Sequence, residues 1–210
     1  MKKIFAILFS VLFMNSVAHA GWGVSFMAGQ VSTSGTENEK SGDVGPEKNS
    51  KDITETFYGA SIFVEGVADN GLTVGIDYVP LALELGSGQR TDSSTGADAA
   101  SEADTGTRKA SADLEHLITL YTNIPMGGND GYGLLGLHYA ELTTSETLVN
   151  SSYGDENIFG AQIGYGVKKG NLKYELSYSD FESISLSSSS GSSTVSADAD
   201  ALTFKIAYGF

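Results

Sequence analysis

The sequence predicts an all-β protein, an eight-stranded antiparallel up-and-down transmembrane β-barrel with long external loops. Three observations predict it. In the last ten residues, ALTFKIAYGF, Leu202, Phe204, Ile206, Tyr208 and Phe210 fall on one parity, and Ala201, Thr203, Lys205, Ala207 and Gly209 on the other. That is the period of a strand with one apolar and one small or polar face. Past the amino terminus no stretch approaches the roughly 20 apolar residues of a membrane-crossing helix, while 26 glycines and only 3 prolines suit strands and turns. The connections between alternating stretches run long, short, long, short, long, short, long, the rhythm of a barrel with tight turns at one end and longer loops at the other.

Residues 1–20 read as a signal peptide. Lys2 and Lys3 precede an apolar run from Ile4 to Met14, and Ala18-His19-Ala20 places small residues where cleavage before Gly21 requires them. Residues 21–210 form the barrel domain, about 190 residues, a length that suits one domain. Export without any cysteine leaves packing and hydrogen bonding to hold the fold. Removing Lys2 and Lys3 leaves 10 basic residues against 26 acidic, a net charge of −16. Such acidity argues against nucleic acid, whose phosphates need basic patches.

Strand one is expected over Gly21–Val31, with Trp22, Val24, Phe26 and Ala28 on its apolar face. The polar segment Ser32–Asp52 reads as a loop. Strand two, Ile53–Glu65, sets Tyr58, Ala60, Ile62 and Val64 against Glu55, Gly59, Ser61 and Glu65; Phe57 and Phe63 interrupt its polar parity. After a turn at Gly66–Asn70, strand three sets Leu72, Val74, Ile76 and Tyr78 against Thr73, Gly75 and Asp77, with Pro80–Leu85 carrying it further. Gly86–Ala110 is a second polar loop. Strand four, Ser111–Ile124, sets Leu114, Ile118, Leu120 and Ile124 against Asp113, Glu115, Thr119, Tyr121 and Asn123. Pro125–Asp130 is a turn by composition.

Strand five, Gly131–Glu141, is read with Leu135, Leu137 and Tyr139 outward and Gly136 and His138 inward. Leu142–Asp155 is the third loop. Strand six sets Phe159, Ala161, Ile163, Tyr165 and Val167 against Gly160, Gln162, Gly164, Gly166 and Lys168. Strand seven sets Leu172, Tyr174, Leu176 and Tyr178 against Lys173, Glu175, Ser177 and Ser179. The serine-rich run Ser183–Ser196 is the last loop before the closing strand.

Charge decides which face meets lipid. A Lys or Arg at a bilayer midplane costs about 2–4 kcal/mol, so Lys168, Lys173, Glu175 and Lys205 belong in the lumen. By the same parity a lumenal polar network of Glu55, Glu65, Asp77, Glu115, His138 and Gln162 joins them, with Glu175 expected beside Lys205 across the ladder. Buried charges need partners, so this network reads first as a plug and second as a polar conduit. Outward aromatics should form two girdles. Tyr58, Tyr78, Tyr139, Phe159 and Tyr178 make the outer one; Trp22, Tyr165, Tyr174, Tyr208 and Phe210 make the inner one. His116 falls on the lipid parity, at or above the outer interface.

The closing strand, with Phe204, Ile206, Tyr208 and the terminal Phe210, resembles the assembly signal of small bacterial outer-membrane barrels of the OmpA and OmpX transmembrane-domain type. The resemblance implies Sec-type export, an outer-membrane location in a Gram-negative cell with both termini periplasmic, contact with lipid and lipopolysaccharide, and the barrel-assembly machinery as a partner in biogenesis. It implies a structural or surface-interaction, adhesion-like role carried by long acidic loops, with no enzyme activity and no cofactor. The alternative is a narrow porin-like or OmpW-like channel for ions or small solutes.

Other chemistry is poorly supported. Gly131–Gly136 (GYGLLG) matches the dinucleotide fingerprint letter for letter, but that motif must open a helix and the residues after it alternate as a strand. Lipid-modifying enzymes share the eight-strand architecture. Neither His116 nor His138, however, has the neighbouring serine of the deacylases' His-x-Ser pattern, and a general base needs a nucleophile and an orienting partner. Asp92, Asp98, Glu102 and Asp104 match no rigid calcium loop, so a metal site is not expected.

Overall fold

The computed structural model describes residues 19–42, 45–92, 106–127, 130–147, 152–191 and 193–210. Residues 1–18, Asp98, Glu102 and Asp104 lie outside them. Ten antiparallel strands follow in order: β1 (His19–Gly42), β2 (Gly45–Val67), β3 (Thr73–Val79), β4 (Leu83–Asp92), β5 (Gly106–Pro125), β6 (Gly131–Glu146), β7 (Glu156–Lys169), β8 (Leu172–Phe181), β9 (Ile184–Ser187) and β10 (Ser193–Gly209).

They build a ring of eight walls. β4 continues β3 past a break at Pro80–Ala82 and keeps the same neighbour, β5; β9 continues β8 past Glu182–Ser183 and keeps β10. Closure comes from β1 pairing β10, from Gly23 opposite Gly209 up to Glu39 opposite Ser193. A closed ring leaves no unpaired edge. Both described ends, with the short turns at Ala68–Leu72, Met126–Asp130 and Gly170–Asn171, lie at one end, here the turn end. The connections β1–β2, β4–β5, β6–β7 and β9–β10 share the other, the loop end.

The turn end is tight for local reasons. Lys169 pairs Leu172 across Gly170-Asn171, and Gly170 takes the positive φ (62°) that a two-residue hairpin turn demands.

The loop end differs from expectation. Ser32–Asp52 is not a loop: β1 and β2 pair residue for residue up to Glu39 opposite Glu47. Ser34 Oγ donates to Asp52 Oδ1 at 2.7 Å, and the Thr36 and Ser50 hydroxyls meet at 2.9 Å. A ladder whose faces are both polar carries no apolar period, so alternation cannot reveal it. β4, β5, β6 and β10 also run on into stretches that read as loop.

Parity sorts the walls into two surfaces. Outward stand Phe26 (69% exposed), Val64 (61%) and Ile163 (61%), with Leu176, Leu202, Phe204 and Ile206 also exposed. A belt of that size is far too apolar for a water-facing surface. The ten aromatics expected in the two girdles lie on the outward parity, whereas Phe63 and Tyr121 are buried inside. At the turn end Trp22 stacks on Phe210 at 4.4 Å and Tyr208 meets Phe210 edge-on at 5.0 Å; at the loop end Tyr139 and Phe159 lie 5.4 Å apart.

One strand departs from its expected phase. His116 has φ 53°, and a bulge between Glu115 and Ile118 sets two β5 residues against Ala140 alone. Each bulge reverses the inside–outside phase of the strand beyond it. Leu114, expected outward, is therefore buried inside at 3% exposure. Glu115, expected in the lumen, is paired with Glu141 on the outer face. No helix among the described residues is long and apolar enough to cross a membrane.

Candidate functional site

The interior has two storeys. Toward the turn end β2, β3, β8 and β10 bring charges together. Lys205 Nζ donates to Asp77 Oδ2 at 3.0 Å and lies 3.8 Å from Glu175 Oε2; Lys173 Nζ binds Glu65 Oε2. Asp77, Lys173 and Glu175 are all buried. Two tyrosines complete the plug: Tyr121 donates to Glu65 and Tyr132 to Glu175, both at 2.7 Å. The Lys173 ammonium also sits 4.4 Å above the Phe63 ring, a cation–π contact strengthened by desolvation. Three carboxylates, two ammonium groups and two phenols so satisfy one another, as buried charge requires.

The tyrosines fit because glycines face them. A Cβ on Gly75 would stand 2.5 Å from the Tyr121 ring, and one on Gly166 2.3 Å from the Tyr132 ring. Each ring lies flat across the neighbouring strand and delivers its hydroxyl to a carboxylate. Tyr132 lies within GYGLLG, which runs along β6 from its first residue; these glycines open no helix and make room for side chains.

Above the charges His138 is clamped. Its Nδ1 shares a hydrogen bond with Thr119 Oγ1 (2.8 Å), its Nε2 one with Ser179 Oγ (3.0 Å), and the Phe181 ring stacks at 5.4 Å. A serine against an imidazole has the shape of a nucleophile and base. Here a threonine occupies the orienting position that a carboxylate would need, and the pair is buried, with His138 and Ser179 each 5% exposed.

Over His138 lies an apolar layer that includes Met27, Leu83, Leu117, Leu142 and Ile184, with Val31, Val79 and Ile158 at or below 2% exposure. It closes the bore. Beyond it, toward the loop end, the walls widen into a cup of about 330 Å³. Leu85, Leu142 and Ile184 form its floor, small residues such as Gly35, Gly88, Ala112 and Ala197 its sides, and Lys51, Glu146 and Tyr153 stand around it. Tyr153 donates to Glu37 Oε1 at 2.9 Å, tying the β6–β7 connection to β1.

The remaining expected network residues scatter. Gln162 faces the lumen against Gly136. Lys168 is exposed at the turn-end rim, lining an open polar vestibule with Lys173 and Glu65. Glu55 has the inward parity but lies in the apolar storey between Ile53 and Phe57, away from the plug. Glu115 stands outside for the reason given above. There Glu84, Asp113, Glu115 and Glu141 share the outer face, and partial burial, then Glu84 and Glu115, raise the Asp113 carboxyl above its ordinary range. His116 shares a 3.1 Å hydrogen bond with the Tyr78 hydroxyl. Sequence reasoning had Tyr121 on the inward parity but gave neither tyrosine a role; the available signal is an inward aromatic facing a glycine on a neighbouring strand.

No family model and no curated protein sequence matches the chain. Solved structures do match. The outer-membrane protease OmpT from Escherichia coli superposes with a TM-score of 0.52 at 11% identity, covering 90% of this chain and 97% of that one. The outer-membrane protein AlkL, determined in lipid bilayers, gives 0.51 at 12% identity over 91% of this chain and 90% of that one. At such identities the likeness concerns fold. With the closed eight-walled ring and its outward apolar belt, it shows that this chain has the fold of the bacterial outer-membrane β-barrels.

Proposed function

We propose that this protein is a closed, non-conducting barrel of the Gram-negative outer membrane that acts by surface interaction at its loop end, without catalysis. In this reading residues 1–20 are removed after Sec-type export, the turn end and both termini are periplasmic, and the loop end is extracellular. The barrel-assembly machinery reads Phe204, Ile206, Tyr208 and Phe210 during insertion, and the girdles meet lipid and lipopolysaccharide. The observation that carries the proposal is the double closure of the lumen. A self-satisfied charge cluster and an apolar layer with fully buried aliphatic side chains lie in series, and the cavity of about 50 Å³ between them has room for only a few waters. The non-enzymatic reading rests on the buried position of Ser179 and His138 and on the threonine that takes the orienting place. The β1–β2 ladder standing beyond the apolar belt gives a partner a rigid polar surface.

Planar-bilayer recording of the refolded protein tests the closure. No stepwise current is expected from the native chain. Steady unit conductance that changes in Lys205→Ala would replace this reading by the narrow channel. Location is tested separately: the protein should fractionate with outer membranes, resist carbonate extraction and migrate faster on gels before boiling than after.

A further inference from the structure

We infer that the cup at the loop end is a blind binding site for an uncharged, mainly hydrocarbon molecule of about a dozen carbon atoms, taken up from the extracellular side. The inference rests on the closed-lumen reading and adds a ligand class to it.

The shape comes from the strands. β1, β2, β9 and β10 form one wall and β4, β5 and β6 the other, and many of the residues lining them are small, Gly35, Gly86, Gly88, Ala110, Ala112 and Ala197, set among the aliphatic Ile53, Leu186 and Val195. Small residues on facing walls leave a void where larger ones would interdigitate, as they do one storey below. The void is about 330 Å³. An apolar cavity of about 150 Å³ stays dry and admits one benzene, so twice that volume holds roughly a dozen carbons. It also lies within the range of about 300–1,000 Å³ typical of small-molecule sites. The side chains of Leu85, Leu142 and Ile184 at the floor offer no hydrogen bond, whereas the hydroxyls of Thr33, Thr144 and Tyr153, which donate to Leu85 O, Gly154 O and Glu37 Oε1, keep a lone pair to accept from one polar end of a ligand.

Charge narrows the occupant. Lys51 and Glu146, of opposite sign, both line the cup and Glu37 stands beside Tyr153, so the site offers no net positive charge to recruit a phosphate-bearing head group, and the chain as a whole carries −14. The chain's own connections are poor fillers. Residues 93–105 contain no apolar side chain larger than alanine, and residues 43–44 and 148–151 add only Val44, Leu148 and Val149.

The test uses the full mature chain in phosphatidylcholine nanodiscs and dodecanol carrying a diazirine at the far end of its chain. After photolysis, mass spectrometry should find adducts on peptides containing Leu85, Leu114, Leu142 or Ile184, removed by excess plain dodecanol. Ala112→Trp and Ala197→Trp, each checked for folding by heat-modifiable migration, should lower cup labelling at least tenfold and leave labelling of lipid-facing Leu176 and Phe204 unchanged. Cup labelling equal in the filled variants, or adducts confined to lipid-facing residues, overturns the inference. So does cup labelling that appears only in the double variant Leu148→Ser, Val149→Ser, which would mean that the chain fills its own cup. Current across bilayers together with cup labelling supports the cup and overturns the closed barrel; no current and no cup labelling overturns the cup alone.

Discussion

The two storeys of the lumen are built from the same strands and close the bore by opposite chemistry. The turn-end storey holds Glu65, Asp77, Lys173, Glu175 and Lys205 in direct contact, capped by Tyr121 and Tyr132. The loop-end storey holds Met27, Val31, Leu114, Leu142 and Ile158, with Glu55 as an inward carboxylate that joins no ion pair among the described residues. Closure by charge is all-or-none, because each group depends on its partner and a single loss strands a charge. Closure by aliphatic packing is graded, since a lost methyl removes only its own contacts. The graded layer can therefore thin into a cup, and the charged one cannot.

The largest effect is expected from breaking the plug. Lys173→Ala leaves Glu65 buried without its cation and should lower stability in lipid by about 3–5 kcal/mol, read as a fall in the urea midpoint. Replacing both partners, Glu65→Met with Lys173→Met, should recover most of that loss. A double variant as unstable as the single one would mean that the pair is not the unit of closure. In the apolar storey Ile158→Ala should cost about 2–4 kcal/mol, with no rescue available from any second polar change.

Adding bulk comes next. Gly75→Ala drives a methyl into the Tyr121 ring and should cost about 1–3 kcal/mol. Combining it with Tyr121→Leu should relieve the clash while still losing the hydroxyl to Glu65. The smallest effect is outside the barrel wall. Asp113 has its folded-state affinity for a proton raised, so its charged form disfavours the folded state, and that cost disappears as pH falls through the folded pKa. Asp113→Asn should be neutral to slightly stabilising at pH 7, by less than about 0.5 kcal/mol, and the difference should vanish in acid. A loss of stability instead would show that the Asp113 carboxylate is held by a partner.

Much of the barrel was legible because β10, β7 and β8 each repeat an apolar residue every second position, and lipid outside a filled barrel enforces that period along the crossing. Lys205 opposite Glu175 followed from parity and register alone. The third partner, Asp77, lies 128 residues from Lys205, and no local pattern links them; only closure of the ring brings β3 across from β10. Leu114 and Glu115 were misplaced because a bulge at His116 is one residue of extra backbone, invisible to a period-two count. The β1–β2 ladder was missed where both of its faces meet water.

The sequence by itself determined the alternating strands, the inward charges and the aromatic ends, because each follows from which neighbour a side chain has along its own strand. The tertiary structure decided the pairing of Lys173 with Glu65, the clamp on His138, the phase change in β5 and the cup. Those depend on contacts across the bore, and such contacts exist only once eight walls have closed on a fixed register.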